Sequence, residues 1–164
     1  MDKVVISLLK LLPSEIVYAH CDIPCGIYDP HNMQMAAHTI IRMTNLIEEL
    51  RKDTEHDEIE KEHKLIRCTQ VKEEHAELLK HEVRVLYGDY FKEEHLKEYP
   101  ELQDLVFKTF KLASKARQNI DLEASNELLK NTQQIAEIFY KSKGMEVMRV
   151  KTPYPTGGEL VAGK

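Results

Sequence analysis

Apolar residues along this chain recur at helical rather than strand spacing. From about Met33, the positions Ala36, Ile40, Met43, Ile47 and Leu50 alternate steps of four and three and share one face, which predicts a first helix. Lys52-Asp53-Thr54 breaks it, and Asp53 or Thr54 can cap the next helix. That second helix is predicted over 55–86, with Ile59, Ile66, Ala76, Leu79, Val83 and Leu86 as apolar stations and a polar middle at Lys72-Glu73-Glu74-His75. Gly88 is expected to end it. A connection through Asp89-Tyr90-Phe91-Lys92 and a short helical turn then lead to Pro100, which suits the first position of a third helix. Leu102, Val106, Thr109, Ala113, Ala116 and Ile120 form its inner stripe. Asp121 caps a fourth helix with Leu122, Leu129, Thr132, Ala136 and Phe139 inward, closed by Gly144. The fold class is therefore all-α: an antiparallel four-helix bundle with short connections. Residues 144–164 carry little apolar content and are expected to form a flexible tail.

The 164 residues fit one domain, and 42% hydrophobic with 31% charged residues is an ordinary balance for a folded soluble chain. A formal net charge of -5 argues against nonspecific nucleic-acid binding, because no basic excess is present to neutralise phosphates. No apolar run is long enough to span a bilayer, so no membrane partner is expected. Three cysteines, Cys21, Cys25 and Cys68, do not make a disulfide framework. Cys68 lies in a helical pattern and reads as a small buried hydrophobe.

The first nineteen residues, MDKVVISLLKLLPSEIVYA, differ from the rest. Val17 and Ala19 suit a processing site, whereas Lys10, Pro13 and Glu15 interrupt what would be the apolar middle of an export signal. A removable pro-segment of another kind is the better reading. The expected location is cytoplasmic, with export as the alternative. An uncleaved amphipathic first helix is the bland alternative. The segment contains two residues of each charge, so its removal leaves the net charge at -5.

The chemistry concentrates in HCDIPCGIYDPHN, residues 20–32, a stretch rich in turn formers. His20, Cys21 and Cys25 offer an imidazole and two thiolates within one short loop, and thiolates select soft or borderline metals. Spacing alone leaves free thiols, a thiol redox pair and half of a zinc site open. Cleavage after Ala19 adds the free amine of His20 and, with a backbone nitrogen, completes a flat nitrogen and sulfur donor set. Tetragonal sites of that kind suit copper or nickel rather than zinc.

The loop HCDIPCGIYDP resembles the metal hook of the nickel superoxide dismutases, whose mature chains begin His-Cys-x-x-Pro-Cys-Gly-x-Tyr. The segment from Lys72 to Leu102, KEEHAELLKHEVRVLYGDYFKEEHLKEYPEL, is similar to that family's second helix and following turn, and the resemblance covers about residues 20–143. It implies one nickel ion per subunit and disproportionation of superoxide to dioxygen and hydrogen peroxide. It further implies a homohexamer and a processing protease as partners. The implied metal ligands are His20 through its amine and imidazole, Cys21 through its thiolate and backbone nitrogen, and Cys25 through its thiolate. Pro24 would follow a cis peptide. Tyr28 would stand over the metal, Tyr90 would lie near the substrate pocket, and Lys92 would draw in the anion.

One departure is visible. The glutamate and arginine that hold the first residue's imidazole in familiar members align with Ala36 and His75. A different side chain, His75 among the candidates, is expected to take that task. His31 and His38 are weaker candidates for supporting the site. His56, His63, His81 and His95 read as a solvated face. In the uncut chain Ala19 acylates His20, so the hook is expected to be imperfectly arranged and residues 1–19 loosely placed. Two other function classes remain. One is a helical interaction module with a structural metal, the other a thiol redox protein using Cys21 and Cys25. The N-terminal residue of the native protein and its metal content distinguish all three.

Overall fold

The computed structural model describes residues 25–55 and 57–164. Helix α1 spans His31–Lys52, α2 Glu58–Val85, α3 Glu93–Glu98, α4 Leu102–Gln118 and α5 Leu122–Ser142. Strands β1 (Val147–Lys151) and β2 (Glu159–Gly163) follow. Helix α1 packs on α2 and α5, and α4 packs on the same two helices. The shared core holds Met33, Ile40, Leu79, Leu102, Leu128, Ile135 and Phe139, all essentially without solvent contact.

Most predicted stripes are buried, and the departures have physical causes. Helix α2 starts at Glu58 because Asp57, not Asp53 or Thr54, caps it: Asp57 Oδ1 accepts the Glu60 N–H at 2.9 Å. Asp53 instead turns the chain by accepting from Glu55 N at 2.7 Å. The apolar pattern places Ile59 and Ile66 inside, yet they are 80% and 66% exposed. The cause is length. At 28 residues α2 is ~42 Å long, against ~25 Å for the 17 residues of α4. Lys72 of α2 already meets the end of α4, so the earlier turns of α2 run past it. Its ammonium is 2% exposed as a residue and donates to the carbonyls of Ala116, Arg117 and Asn119 at 2.6, 3.0 and 2.7 Å. Burial lowers its pKa, partly countered by Glu73.

Gly88 does not stop α2. Residues Leu86–Tyr90 widen into a π-helical turn, closed by Phe91 N donating to Leu86 O at 2.9 Å. Such turns rotate the residues after them relative to a regular helix. The third predicted helix begins at Leu102 rather than Pro100, which lies in the preceding turn, and its last apolar station, Ile120, is 45% exposed beyond the helix end. Asp121 does cap α5, accepting from Ala124 N at 2.8 Å. Gly144 ends it with φ +70°, Gly144 N bonding Lys141 O and Met145 N bonding Tyr140 O.

Residues after Gly144 correct the expectation of a loose tail. β1 and β2 form an antiparallel hairpin, Val147 opposite Gly163 and Lys151 opposite Glu159. Low apolar content does not prevent docking here, because the hairpin is held mainly by polar bonds to α1 and α5. Val161 is its one buried apolar side chain in the core cluster.

Candidate metal centre and its aromatic wall

The described part of the hook is short. Cys25 is exposed, and its Sγ accepts the Ile27 N–H at 3.4 Å, so the loop folds back on its own sulfur. Gly26 takes φ +72°, which its lack of a Cβ permits. Asp29 Oδ1 accepts His31 N at 2.7 Å and starts α1, while Pro30 is buried. His20, Cys21 and Pro24 lie outside the described residues, as does the expected arrangement of the uncut hook. Among the described residues no group of three potential ligands forms a metal site. Cys25 is the one implied ligand described.

The structure brings two of the predicted residues together. Tyr28 meets Tyr90 with ring centroids 5.5 Å apart and planes at 54°. The π-turn delivers Tyr90 to this place, and Phe139 of α5 packs behind it at 4.7 Å. Ser142 Oγ donates to Phe139 O at 2.7 Å. Its only proton is thus used, so the 2.7 Å contact with Tyr90 is a bond in which the Tyr90 phenol donates. Lys92 is exposed, two residues beyond Tyr90, and is the N-cap residue just before α3.

Two residues at this wall escaped the sequence reading. His95, expected on a solvated face, stacks on Tyr90 at 5.5 Å and 10°. Its Nδ1 accepts the Lys92 N–H at 3.0 Å, which places the proton of the neutral ring on Nε2. Lys143 sits over the rings of Phe139 and Tyr90 at 4.7 and 5.5 Å. The three-residue step from Lys92 to His95 is the spacing of a reciprocal helix cap and was the available signal. Nothing in local sequence marked Lys143, whose position depends on how α5 ends.

The other candidates separate clearly. Ala36 is fully buried in α1, and His75 Nδ1 bonds Val71 O of its own helix at 2.8 Å. His31 is exposed. His38 is buried against the hairpin, its Nδ1 2.9 Å from Thr156 Oγ1 and its Nε2 3.4 Å from Glu159 O. Burial lowers its pKa, partly countered by the Glu159 carbonyl. His63 is exposed and His81 half-buried, whereas His56 lies outside the described residues. Cys68 is half-buried, and burial raises its pKa, which suits an unreactive thiol.

Known proteins resemble this chain over most of its length. Residues 15–143 match the family model described as nickel-containing superoxide dismutase. The nickel superoxide dismutases of Streptomyces seoulensis and Streptomyces coelicolor are each 39% identical over 131 residues, covering 80% of this chain and 93% of theirs. A solved native nickel superoxide dismutase superposes with a TM-score of 0.66 at 37% identity, covering 76% of this chain and 99% of that one. A solved nickel-containing superoxide dismutase with nickel ligation corresponding to the oxidised state gives the same score at 36% identity. The loop, the paired tyrosines and the helical core that carries them thus lie within one continuous match, and the chain belongs to the family of nickel-containing superoxide dismutases.

Proposed function

We propose that this protein disproportionates superoxide with a nickel ion held in its N-terminal hook after residues 1–19 are removed. One observation carries the reading. The family match runs through the hook, and three residues after Cys25 the fold seats Tyr28 against Tyr90. The donor set fits nickel: the amine and imidazole of His20, the thiolate and backbone nitrogen of Cys21, and the thiolate of Cys25. When bound, the nickel ion supplies one-electron redox chemistry, so that two superoxide anions and two protons yield dioxygen and hydrogen peroxide.

The chain's own residues do the rest. The ammonium groups of Lys92 and Lys143 raise the local concentration of a small anion on an acidic protein. Tyr90 donates a hydrogen bond to Ser142, so its ring acts as a fixed wall, and the Tyr28 phenol next to it orders water or substrate beside the metal loop. The His95 Nε2–H is a second donor at the edge of that wall. The imidazole of His20 needs an orienting partner other than Ala36, which has no polar side chain; His75 retains Nε2 as an acceptor for that role.

The helices are best read as an antiparallel four-helix bundle. Assembly into a homohexamer is supported by apolar side chains left in water: Ile27, Ile59 and Ile66 are 73%, 80% and 66% exposed. A processing protease is required as a partner, because the amine ligand does not exist while Ala19 acylates His20. A cytoplasmic location is the reading we favour, with Lys10, Pro13 and Glu15 arguing against an export signal. Among the described residues no helix is long and apolar enough to cross a membrane.

Mass spectrometry of the native protein, coupled to metal analysis and a superoxide-decay assay, tests the proposal. A chain beginning at His20 with about one nickel per subunit and dismutase activity is expected, as the donor count requires. A chain beginning at Met1 that is active and metal-loaded would exclude the free-amine site. Thiol-dependent activity without nickel would instead favour a redox protein.

A further inference from the structure

The C-terminal hairpin lies beyond the family match, which ends at residue 143. The solved relative is 99% covered by the alignment, so its helical core folds without a counterpart of this hairpin. An appended element that docks tightly calls for a use, and its docking site is the base of the metal loop.

The joint is Gln34, one turn into α1 and fully buried. Its Oε1 accepts Val161 N at 2.8 Å, and its Nε2 donates to Val161 O at 2.9 Å. The side-chain amide thus pairs with the β2 backbone as a neighbouring strand would. The other Nε2 proton points to Pro30 O at 3.4 Å, the last carbonyl of the hook. A second link runs through Tyr140 at the end of α5. Gly163 lies so close that a Cβ there would sit 2.6 Å from the Tyr140 ring and 2.6 Å from Met145. On the hook side, Asp29 is near enough to raise the pKa of the Tyr140 phenol, alongside the larger effect of burial. Further along α1, Tyr154 donates to Met35 Sδ at 3.0 Å, and His38 meets Thr156 and the Glu159 carbonyl. From α5, Gln133 Nε2 donates to the same Glu159 carbonyl at 2.6 Å. The hairpin therefore ties the start of α1 to α5 on the side where Asp29 and Pro30 leave the core.

We propose that the hairpin is a brace for the metal loop, with Gln34 as the positioning residue that transmits it. By clamping the first turn of α1 and the Pro30 carbonyl, it narrows the directions in which Cys25–Pro30 can leave the core. The loop's own bonds, Ile27 N to Cys25 Sγ and His31 N to Asp29 Oδ1, are then held in register with the Tyr28–Tyr90 pair. This inference rests on the reading of the hook as the metal loop, and its test does not need the metal.

The experiment uses metal-free full-length chain in three forms: wild type, Gln34→Leu, and a truncation ending at Gly144. Two quantities are read by mass spectrometry under reducing conditions. These are hydrogen exchange in a peptide spanning residues 26–31 and the alkylation rate of Cys25, resolved from Cys21 and Cys68. Both variants are expected to exchange and alkylate about tenfold faster there, the size of effect produced when one or two buried bonds holding a local element are lost. The truncation guards against misfolding of the point variant, because the related core is complete without the hairpin. Asp121→Ala, which removes the α5 cap, is the control: it lowers the melting temperature while leaving both hook readouts at the wild-type value. Unchanged exchange and alkylation in Gln34→Leu, with Val161 N exchanging faster, would overturn the proposal. Equal acceleration by Asp121→Ala would reduce it to general destabilisation and likewise overturn it. A wild-type chain that binds no nickel after cleavage would sink the functional reading and leave these measurements standing.

Discussion

At the scale of single residues, the direction of one hydroxyl bond fixes the part Tyr90 plays. Ser142 commits its proton to Phe139 O, so Tyr90 must donate to Ser142. Tyr90→Phe keeps the ring packing and loses that bond. The expected cost is about 0.5–1.5 kcal/mol in a denaturation curve, with only a small change in turnover. Tyr28→Phe keeps the ring pairing with Tyr90 and is expected to lower kcat by ~100-fold or less, since it removes one positioned proton donor. Cys25→Ser is the sharper test. Cys25 is exposed in the loop before α1, so stability should move by less than ~0.5 kcal/mol. Nickel content and activity should both vanish, as atomic absorption and the superoxide-decay assay would show. Lys143→Gln removes a charge stacked over Tyr90 and Phe139. A two- to five-fold loss in kcat/KM, about what one steering charge supplies, should come with a flatter dependence on ionic strength. An unchanged salt dependence would remove Lys143 from the account.

At the scale of elements, the end of α4 is the most exacting joint. Its last carbonyls face the polar middle of α2, and Lys72 satisfies two of them, with that of Asn119 just past the helix end, from a buried position. Arg117 adds ion pairs to Glu77 and, at 3.7 Å, to Glu73, although their partial exposure makes these weak. Lys72→Met retains the aliphatic bulk and leaves those carbonyls without their donor. A loss of about 2–4 kcal/mol is expected, a drop on the order of 5–15 °C in melting temperature for a domain of this size. A change below ~0.5 kcal/mol would mean that water enters and replaces the ammonium. The same joint explains why the sequence pattern misplaced Ile59 and Ile66. Periodicity reports which face of α2 is apolar, but the length of its neighbours decides how far that face is covered.

At the scale of the whole molecule, the hairpin makes stability sensitive to pH. His38 is buried beneath it, with a pKa below the usual ~6.5 chiefly because of burial. Above pH ~6.5 the ring is neutral in both folded and unfolded chains, and its contribution is fully present. As pH falls below that value the unfolded chain takes up its proton first, so stability is lost progressively. Denaturation midpoints measured between pH 8 and pH 5 should fall on the acid side, and His38→Gln should flatten that part of the curve. An identical slope in the variant would assign the effect elsewhere.

The sequence by itself determined the helical class, because apolar spacing records which face of each helix must leave water. It also marked residues 20–32 as a candidate metal loop, because donor types are properties of residues and need no fold to be recognised. The caps at Asp121 and Gly144 were legible for the same local reason. Tertiary structure alone decided the rest. The meeting of Tyr28 with Tyr90, and of Tyr90 with His95 and Lys143, depends on a π-turn and on the end of α5, which bring distant segments into contact. The docking of the hairpin depends on Gln34, Gln133 and His38, polar residues that a hydrophobic pattern counts as surface. Their bonds exist only once α1, α5 and β2 share one interface, and there those polar groups replace the apolar contacts whose scarcity made the segment look loose.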